Sequence, residues 1–487
     1  MPIHDKAFYC ILFFLSGILL ASIIQDSPQR IFISFLTAAI LAAIFLLIRC
    51  FKTYLVFLWL ALFSFSLFLG SAYYFIYDVK QREITMPFDA KIELQALVST
   101  VSDGFDGETL VLSLLSPYSG KVEAFVPRYP RFSYGDILSV SGLIKKPNEK
   151  ARHSLEKDGI FGVMSFPKIE LVSSGNGLLI KSALLKIKDF AIHSFQKALG
   201  SEEAAFMSGL TLGDTAEFEK DFKDKMRVTG TTHIVALSGY NITIIASAVI
   251  SLFGFFYVPR RSRFLGSVFA IFAFVLMTGA TASVVRAGIM GFIGLLAREV
   301  QRAYSVRNAI VVSAFLMVLI NPKILVWDIG FELSFLALLG LIYLRPAIAR
   351  LFGFRKDSGF FGWRENFLTT LSAQLAVLPL VLLRFGSFSV LSLLTNVLLL
   401  WAIPITMSFG FGIVAVSLLS GLAARFLGFF AHIFVWYEMA VINFFSRFQK
   451  LSLSVEHVAF WFVIVYYLIL ILFVILDKKE RLKKAYA

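Results

Sequence analysis

Long apolar runs separated by short polar joints fill both ends of the chain, and short alternating segments lie between them. Three apolar stretches come first, at about 8–24, 31–48 and 54–77. Each is close to the ~20 mostly apolar residues that a helix needs to cross hydrocarbon. From Asp78 to about Ser174 the pattern becomes alternating, with turn signals at SDGFDGET, SPYSGK and KKPNEK. KIELQALVST, ETLVLSLL, KVEAFVP, DILSVSGLI and KIELVSS predict five short strands there. Five short strands predict a small β-barrel, OB-like by strand number, with a small sandwich fitting nearly as well. From Leu178 to about Arg227 the pattern is helical and amphipathic and carries GLTLGD (209–214) and EFEKDFKDKMR, which predicts surface or interfacial helices. Spans are then expected at about 233–256, 264–278, 283–299, 306–320, 329–344, 366–384, 388–420, 425–446 and 458–476. Pro404 splits 388–420 into two short helices or a re-entrant pair.

Composition agrees with this pattern. The chain is 58% hydrophobic and 16% charged, against ~45–50% and ~25% for a soluble globular protein. A net charge of +14 in a soluble chain would suggest nucleic acid. In a membrane chain it follows from cytoplasmic joints rich in Lys and Arg. PRRSR (259–263), REVQR with Arg307, the 345–364 joint and the tail DKKERLKK carry most of it. All of them fall on the cytoplasmic side if the N-terminus is inside, which puts the β insert outside. The expected fold is therefore a polytopic α-helical membrane protein with an inserted extracellular small β-barrel (OB-like) domain. Its divisions are N-terminal helices (1–77), the β insert (78–175), interfacial helices (176–232), a main membrane domain (233–476) and a basic tail (477–487). Cys10 and Cys50 both lie in or beside apolar runs, so the insert has no disulfide framework. The first apolar run reads as a retained helix, since more spans follow.

Polar residues inside apolar runs carry the candidate chemistry, because such groups usually face a bundle interior or a watery path. His233, Leu237 and Asn241 are spaced by four and predict one helical face, with Ser238-Gly239 beside them. Arg286 is a full charge surrounded by small residues, and snorkelling is its alternative. Glu332 can pair with Arg286 or a cation, or simply favour a helix N-terminus. Gln374, Arg384 and Asn396 lie in the run to Pro404, where amides also serve as glue between helices. Asp214 is a loop candidate. The six His make no H-x-H or H-E-x-x-H pattern, and there is no G-x-x-x-x-G-K-[ST] loop or C-x-x-C pair. No catalytic residue, metal ligand or cofactor is therefore assigned, and neither nuclease nor ATPase activity is expected.

Taken in order, GLTLGD, HIVALSGYNITII, TGATASVVRAGIM, WDIGFELSFLALLGLI and the Gln/Pro/Asn run to Pro404 resemble the membrane domain of the ComEC family of competence proteins. ARHSLEKDGIFGVMSFPKIEL (151–171) resembles the end of that family's extracellular OB-like domain. The resemblance extends to about Ile475. It implies a bacterial inner-membrane channel with both termini cytoplasmic, for uptake of single-stranded DNA during natural transformation. Its path candidates are His233, Ser238, Asn241, Arg286, Glu332, Gln374 and Asn396. Tyr240-Asn241 stands where the family usually has Leu-His, and Glu332 where it commonly has Gln. The implied partners are single-stranded DNA, the lipid bilayer, and a separate DNA-delivery protein, nuclease and cytoplasmic DNA motor; a homo-oligomer is left open. Many members continue into a metallo-β-lactamase-like domain, which this chain is expected to lack. The residues alone leave two other classes open: a transporter or flippase of an anionic envelope molecule, and a membrane-face enzyme using His233.

Overall fold

The computed structural model describes residues 3–23, 54–82, 84–89, 91–103, 107–237, 239–354, 362–448, 452–455 and 458–486. Helices α1 (Ile3–Ile23) and α2 (Tyr54–Arg82) come first. The strands β1 (Lys91–Asp103), β2 (Glu108–Leu114), β3 (Lys121–Val126) and β4 (Ile137–Leu143) follow, then α3 (Glu149–Glu156), β5 (Ile160–Ser165) and β6 (Lys168–Ser173). Next are α4 (Leu179–Ala198), α5 (Ser201–Leu212), α6 (Lys220–Thr229), the single turn α7 (Thr232–Val235) and α8 (Gly239–Phe255). Then come α9 (Arg260–Met277), α10 (Ala282–Glu299), α11 (Val306–Ile320), the turn α12 (Ile324–Trp327) and α13 (Ile329–Leu351). The chain continues through α14 (Trp363–Phe385), β7 (Ser387–Ser389), α15 (Ser392–Leu399), α16 (Ile403–Ser417), α17 (Gly421–Ser446), β8 (Ser452–Ser454) and α18 (Phe460–Tyr486). The protein is mostly helical with a small sheet region.

Among the described residues, five helices are long and apolar enough to cross a membrane, within α2, α13, α14, α17 and α18. The pair α15 and α16, bent by 52° at its break, makes a sixth if counted as one span. This is the division expected at Pro404, which lies in the first turn of α16, where its missing N–H costs nothing. The span expected at 31–48 lies outside the described residues.

The chain forms two compact units: Met1–Ser182, Pro259–Val268 and Val285–Phe331 make the first, and Ala183–Val258, Phe269–Val284 and Glu332–Ala487 the second. In the first, α1 and α2 pack at backbone distance. A Cβ on Gly17 would lie 2.0 Å from the Leu67 carbonyl oxygen, and one on Gly70 2.1 Å from that of Phe14. Small residues are what such close helix approaches require in a membrane. The sheet runs β5-β3-β2-β1-β4-β6, with β3 and β5 parallel and the other pairs antiparallel. Inward alternation on β2 and β3 buries Leu110, Leu112, Val122 and Ala124 against Val98, Leu138 and Met164.

Three expectations change here. The sheet has six strands: β5, IFGVMS, was not expected, because it contains no polar residue until its last position to show alternation. The sheet is not a closed barrel; between the end of β4 and β5 there is only an isolated bridge, Lys145 to Val163. In the second unit, α5 is buried from Ala204 to Leu212 and is a core helix, not a surface one. A helix apolar on all sides belongs inside.

Glu123 on β3 is flanked by Val111 on β2 and Val163 on β5, and burial pushes its carboxyl above the usual range. A raised carboxyl weakens folding as pH rises from the ordinary Glu range through the folded value. Glu123→Gln is therefore expected to raise Tm at neutral pH and to leave it unchanged in acid, as thermal melts at a series of pH values would show.

Candidate functional site: a polar seam in the second unit

The segment 229–241 is not one helix: α6 ends at Thr229, α7 is a single turn and α8 begins at Gly239. Gly230 caps α6, and its φ of +67° is left-handed, a conformation that glycine adopts without penalty. Thr229 and Thr231 flank it, both fully buried, with their hydroxyls 2.9 Å apart. His233 stands on the following turn, and its Nδ1 lies 3.0 Å from the Gly230 carbonyl oxygen. A carbonyl only accepts, so the proton sits on Nδ1 and the neutral ring presents Nε2 as an acceptor. The helix breaks after Val235 and restarts at Gly239. His233, Leu237 and Asn241 therefore do not share one helical face. The four-residue spacing was a reliable guide only while the helix was continuous.

Gly230 allows a close approach on its other side. A Cβ there would stand 2.3 Å from the Ser392 Cβ and 3.3 Å from that of Ser389. Ser392 opens α15, and its hydroxyl accepts a hydrogen bond from Gln374 Nε2 on α14. Asn396 lies one turn further along α15 at 2% exposure, and its Oδ1 has no hydrogen-bond partner among the described residues. The hydroxyls of Ser372 on α14 and Ser389 on β7 are likewise buried without a partner among the described residues. Buried polar atoms are nearly always hydrogen-bonded, so a row of unmatched ones marks a place where water or a ligand is expected. The end of α6, β7, α14 and α15 thus form a polar seam that contains Gln374 and Asn396, and His233 on α7, itself exposed, joins it through the Gly230 carbonyl. Hydropathy gave no sign of Gly230, Ser389 or Ser392, because small residues barely alter it.

The remaining candidates lie elsewhere. Asn241 Nδ2 donates to the Leu210 carbonyl at 3.0 Å, satisfying one of the open carbonyls in the last turn of α5. α5 then ends at Gly213, against whose α-carbon Leu237 packs. GLTLGD and the 237–241 segment are therefore one packed corner. Asp214 pairs with Lys188 at 2.6 Å, and its Oδ1 accepts from the Ala216 N–H at 3.1 Å. Both contacts hold a loop. Glu332 Oε1 is 3.4 Å from the Arg384 guanidinium, a cation partner for it. Arg286 is half-buried on α10. Ser238 lies outside the described residues. Among the described residues, no group of three His, Cys, Asp or Glu side chains converges as metal ligands would.

A family model described as "Competence protein" matches residues 210–480. The chain belongs to that family. ComE operon protein 3 of Bacillus subtilis (strain 168) is 28% identical to it over 268 residues, 54% of this chain and 32% of that protein. The chain therefore spans less than two thirds of the relative it matches. No solved structure matches. The competence-family match starts at Leu210, whose carbonyl Asn241 caps, and ends within α18. It takes in the whole polar seam and leaves out the β sheet.

Proposed function

We propose that this competence-family protein is an inner-membrane channel that passes single-stranded DNA into the cytoplasm during natural transformation. The observation that carries this reading is the polar seam, formed by segments that all lie in the family-matched part of the chain. Its side chains are hydroxyls, amides and one imidazole. Such groups can replace water around a phosphate without the tight hold of a fixed charge, which suits passage more than storage.

The sheet fits the same reading as an extracellular, OB-like module. The parallel β3–β5 pair and the Lys145–Val163 bridge bring together the strand edges that a barrel would join. Tyr129 and Phe166 are 72% and 67% exposed, and Arg131 lies over the Tyr129 ring at 5.7 Å. Exposed rings next to cations are the usual means of holding single strands. On this reading a separate nuclease, a DNA-delivery protein and a cytoplasmic motor supply what the chain's own residues do not.

Complementation tests the function. In a transformable bacterium lacking its competence-family gene, the wild-type protein should restore transformants. Gln374→Leu takes the donor from the buried Ser392 hydroxyl, a loss of about 1–3 kcal/mol. It should lower transformants by about tenfold or more at equal protein level. Wild-type levels with Gln374→Leu would remove the seam from the path, and no restoration by the wild type would remove the function.

Orientation is tested separately. Single cysteines placed in β1–β6 should react with an impermeant maleimide in intact cells, and cysteines in the 477–487 tail only after permeabilisation. A tail that labels in intact cells overturns the proposed topology.

A further inference from the structure

Glu438 lies within α17 at 1% exposure. Val435, Met439 and Ile442 of the same helix, with Leu399, Ile403 and Met407 of the broken pair, belong to the apolar core of this unit. Oε1 of Glu438 accepts a hydrogen bond from Thr406 Oγ1 at 2.8 Å, and Oε2 has no hydrogen-bond partner among the described residues. An ionisable group so placed inside a membrane helix bundle is costly to keep without a role.

Among the described residues, the packed helices bring it no cation. α15 and α16 carry no charged residue. On α5, Glu203 is paired with His432 of α17 at 2.6 Å, and Glu202 is exposed. On α6, Asp221 pairs with Lys225 at 2.6 Å, while Lys220, Lys223, Asp224 and Arg227 are exposed or half-buried. On α17 itself, Arg425 is exposed and donates to the Lys197 carbonyl at 3.4 Å, and the Tyr437 hydroxyl donates to the Leu398 carbonyl at 3.0 Å.

The Thr406 hydroxyl has one proton and two acceptors, Glu438 Oε1 at 2.8 Å and the Ala402 carbonyl at 3.2 Å. With Glu438 ionised, that proton goes to the carboxylate. With Glu438 protonated, the carboxylic O–H donates to Thr406 Oγ1, and Thr406 donates to Ala402. Ala402 is the residue from which α16 starts, in the break where α15 and α16 bend by 52°. We propose that Glu438 and Thr406 form an intramembrane proton-binding site whose occupancy sets the hydrogen bonding at the 400–402 break. Only the proton moves, exchanged with water, and the site does not depend on what the protein passes.

The break carries its own reporter. Trp401 Nε1 donates to the Tyr437 hydroxyl at 3.3 Å, one residue before Glu438. The test is an infrared pH titration of the full chain in lipid nanodiscs, with Trp401 fluorescence taken as the difference from Trp401→Phe. A protonated-carboxyl C=O band should grow as pH falls, vanish in Glu438→Gln, shift in frequency in Thr406→Val and return to its place in Thr406→Ser. The Trp401 signal should change with the same midpoint. A band that persists in Glu438→Gln, that does not titrate, or that is indifferent to Thr406→Val overturns the site. A Trp401 signal that ignores the titration overturns its link to the break. Should Glu438→Gln fail to fold, the Thr406 pair still decides the matter, since both variants retain the carboxyl.

Discussion

Gly230→Ala should give a protein of clearly lower thermal stability that supports little transformation. Two independent costs meet at this residue. Its φ of +67° is left-handed, which costs a residue with a Cβ about 1–2 kcal/mol. The new methyl would also stand 2.3 Å from the Ser392 Cβ, and overpacking of this kind costs about 1–3 kcal/mol. The strain falls on the hinge that presents the Gly230 carbonyl to His233 and Ser392 to Gln374. Gly353 is the control: its φ is +63°, and a Cβ there meets nothing within 4 Å. Gly353→Ala pays the backbone cost alone. Melts in detergent should place Gly230→Ala well below Gly353→Ala, and adding Ser392→Gly should recover part of the gap. Equal melting temperatures for the two alanine variants would mean that the seam is not packed as described.

Local pattern told much of the fold, and long-range pairing told the rest. The apolar runs predicted the helix positions around α2, α11, α14, α17 and α18, and alternation predicted β1, β2, β3, β4 and β6. The failures share a cause. Ala236 to Gly239 look helical by hydropathy, but α7 ends at Val235, and Leu237 packs at Gly213 where α5 ends. That is a tertiary fact, invisible to a spacing rule. Glu332 is equally instructive. It was expected to pair with Arg286 or with a cation, and Arg384, already visible in the run to Pro404, is a cation beside it. A single sequence offers several cations and no way to choose among them. The seam's hydroxyls were missed because serine and threonine bond their own helix so readily that they mark nothing. Asn396, by contrast, was found because an amide in an apolar run is conspicuous. Glu438 was conspicuous by the same rule and was passed over.

The strongest single loss of stability is expected from Lys323→Ala in the first unit. Lys323 precedes the turn α12, and its side chain is only 6% exposed. Its Nζ lies 3.0 Å from Asp78 near the end of α2 and 3.9 Å from Glu156 at the end of α3. One ammonium therefore ties the membrane-helix end to the β insert. The surrounding contacts close the same joint. Lys157 pairs with Asp328 at 2.9 Å, its carbonyl accepts from Asn321 Nδ2 at 2.6 Å, and the His153 ring stacks on Trp327 at 4.3 Å. Burial alone would lower the Lys157 ammonium, but Asp328 and Asp158 outweigh it and hold it above its ordinary value. A lysine raised in this way stabilises the fold fully below its unfolded pKa, and the gain is lost only as pH rises through the folded value. The Lys157 contribution should therefore hold unchanged across neutral pH and fade in strong alkali. Removing one partner of a buried pair costs about 3–5 kcal/mol, because the opposite charge stays buried. Lys323→Ala should thus lower Tm sharply and make the β insert sensitive to protease. The double variant Lys323→Ala/Asp78→Ala should be less damaged than the two single losses added together, since the Asp78 carboxylate is no longer left without its ammonium. Strict additivity in that cycle, or a Lys323→Ala loss below about 1 kcal/mol, would show that the pair is solvated and that the other contacts of the joint seat the insert on α2.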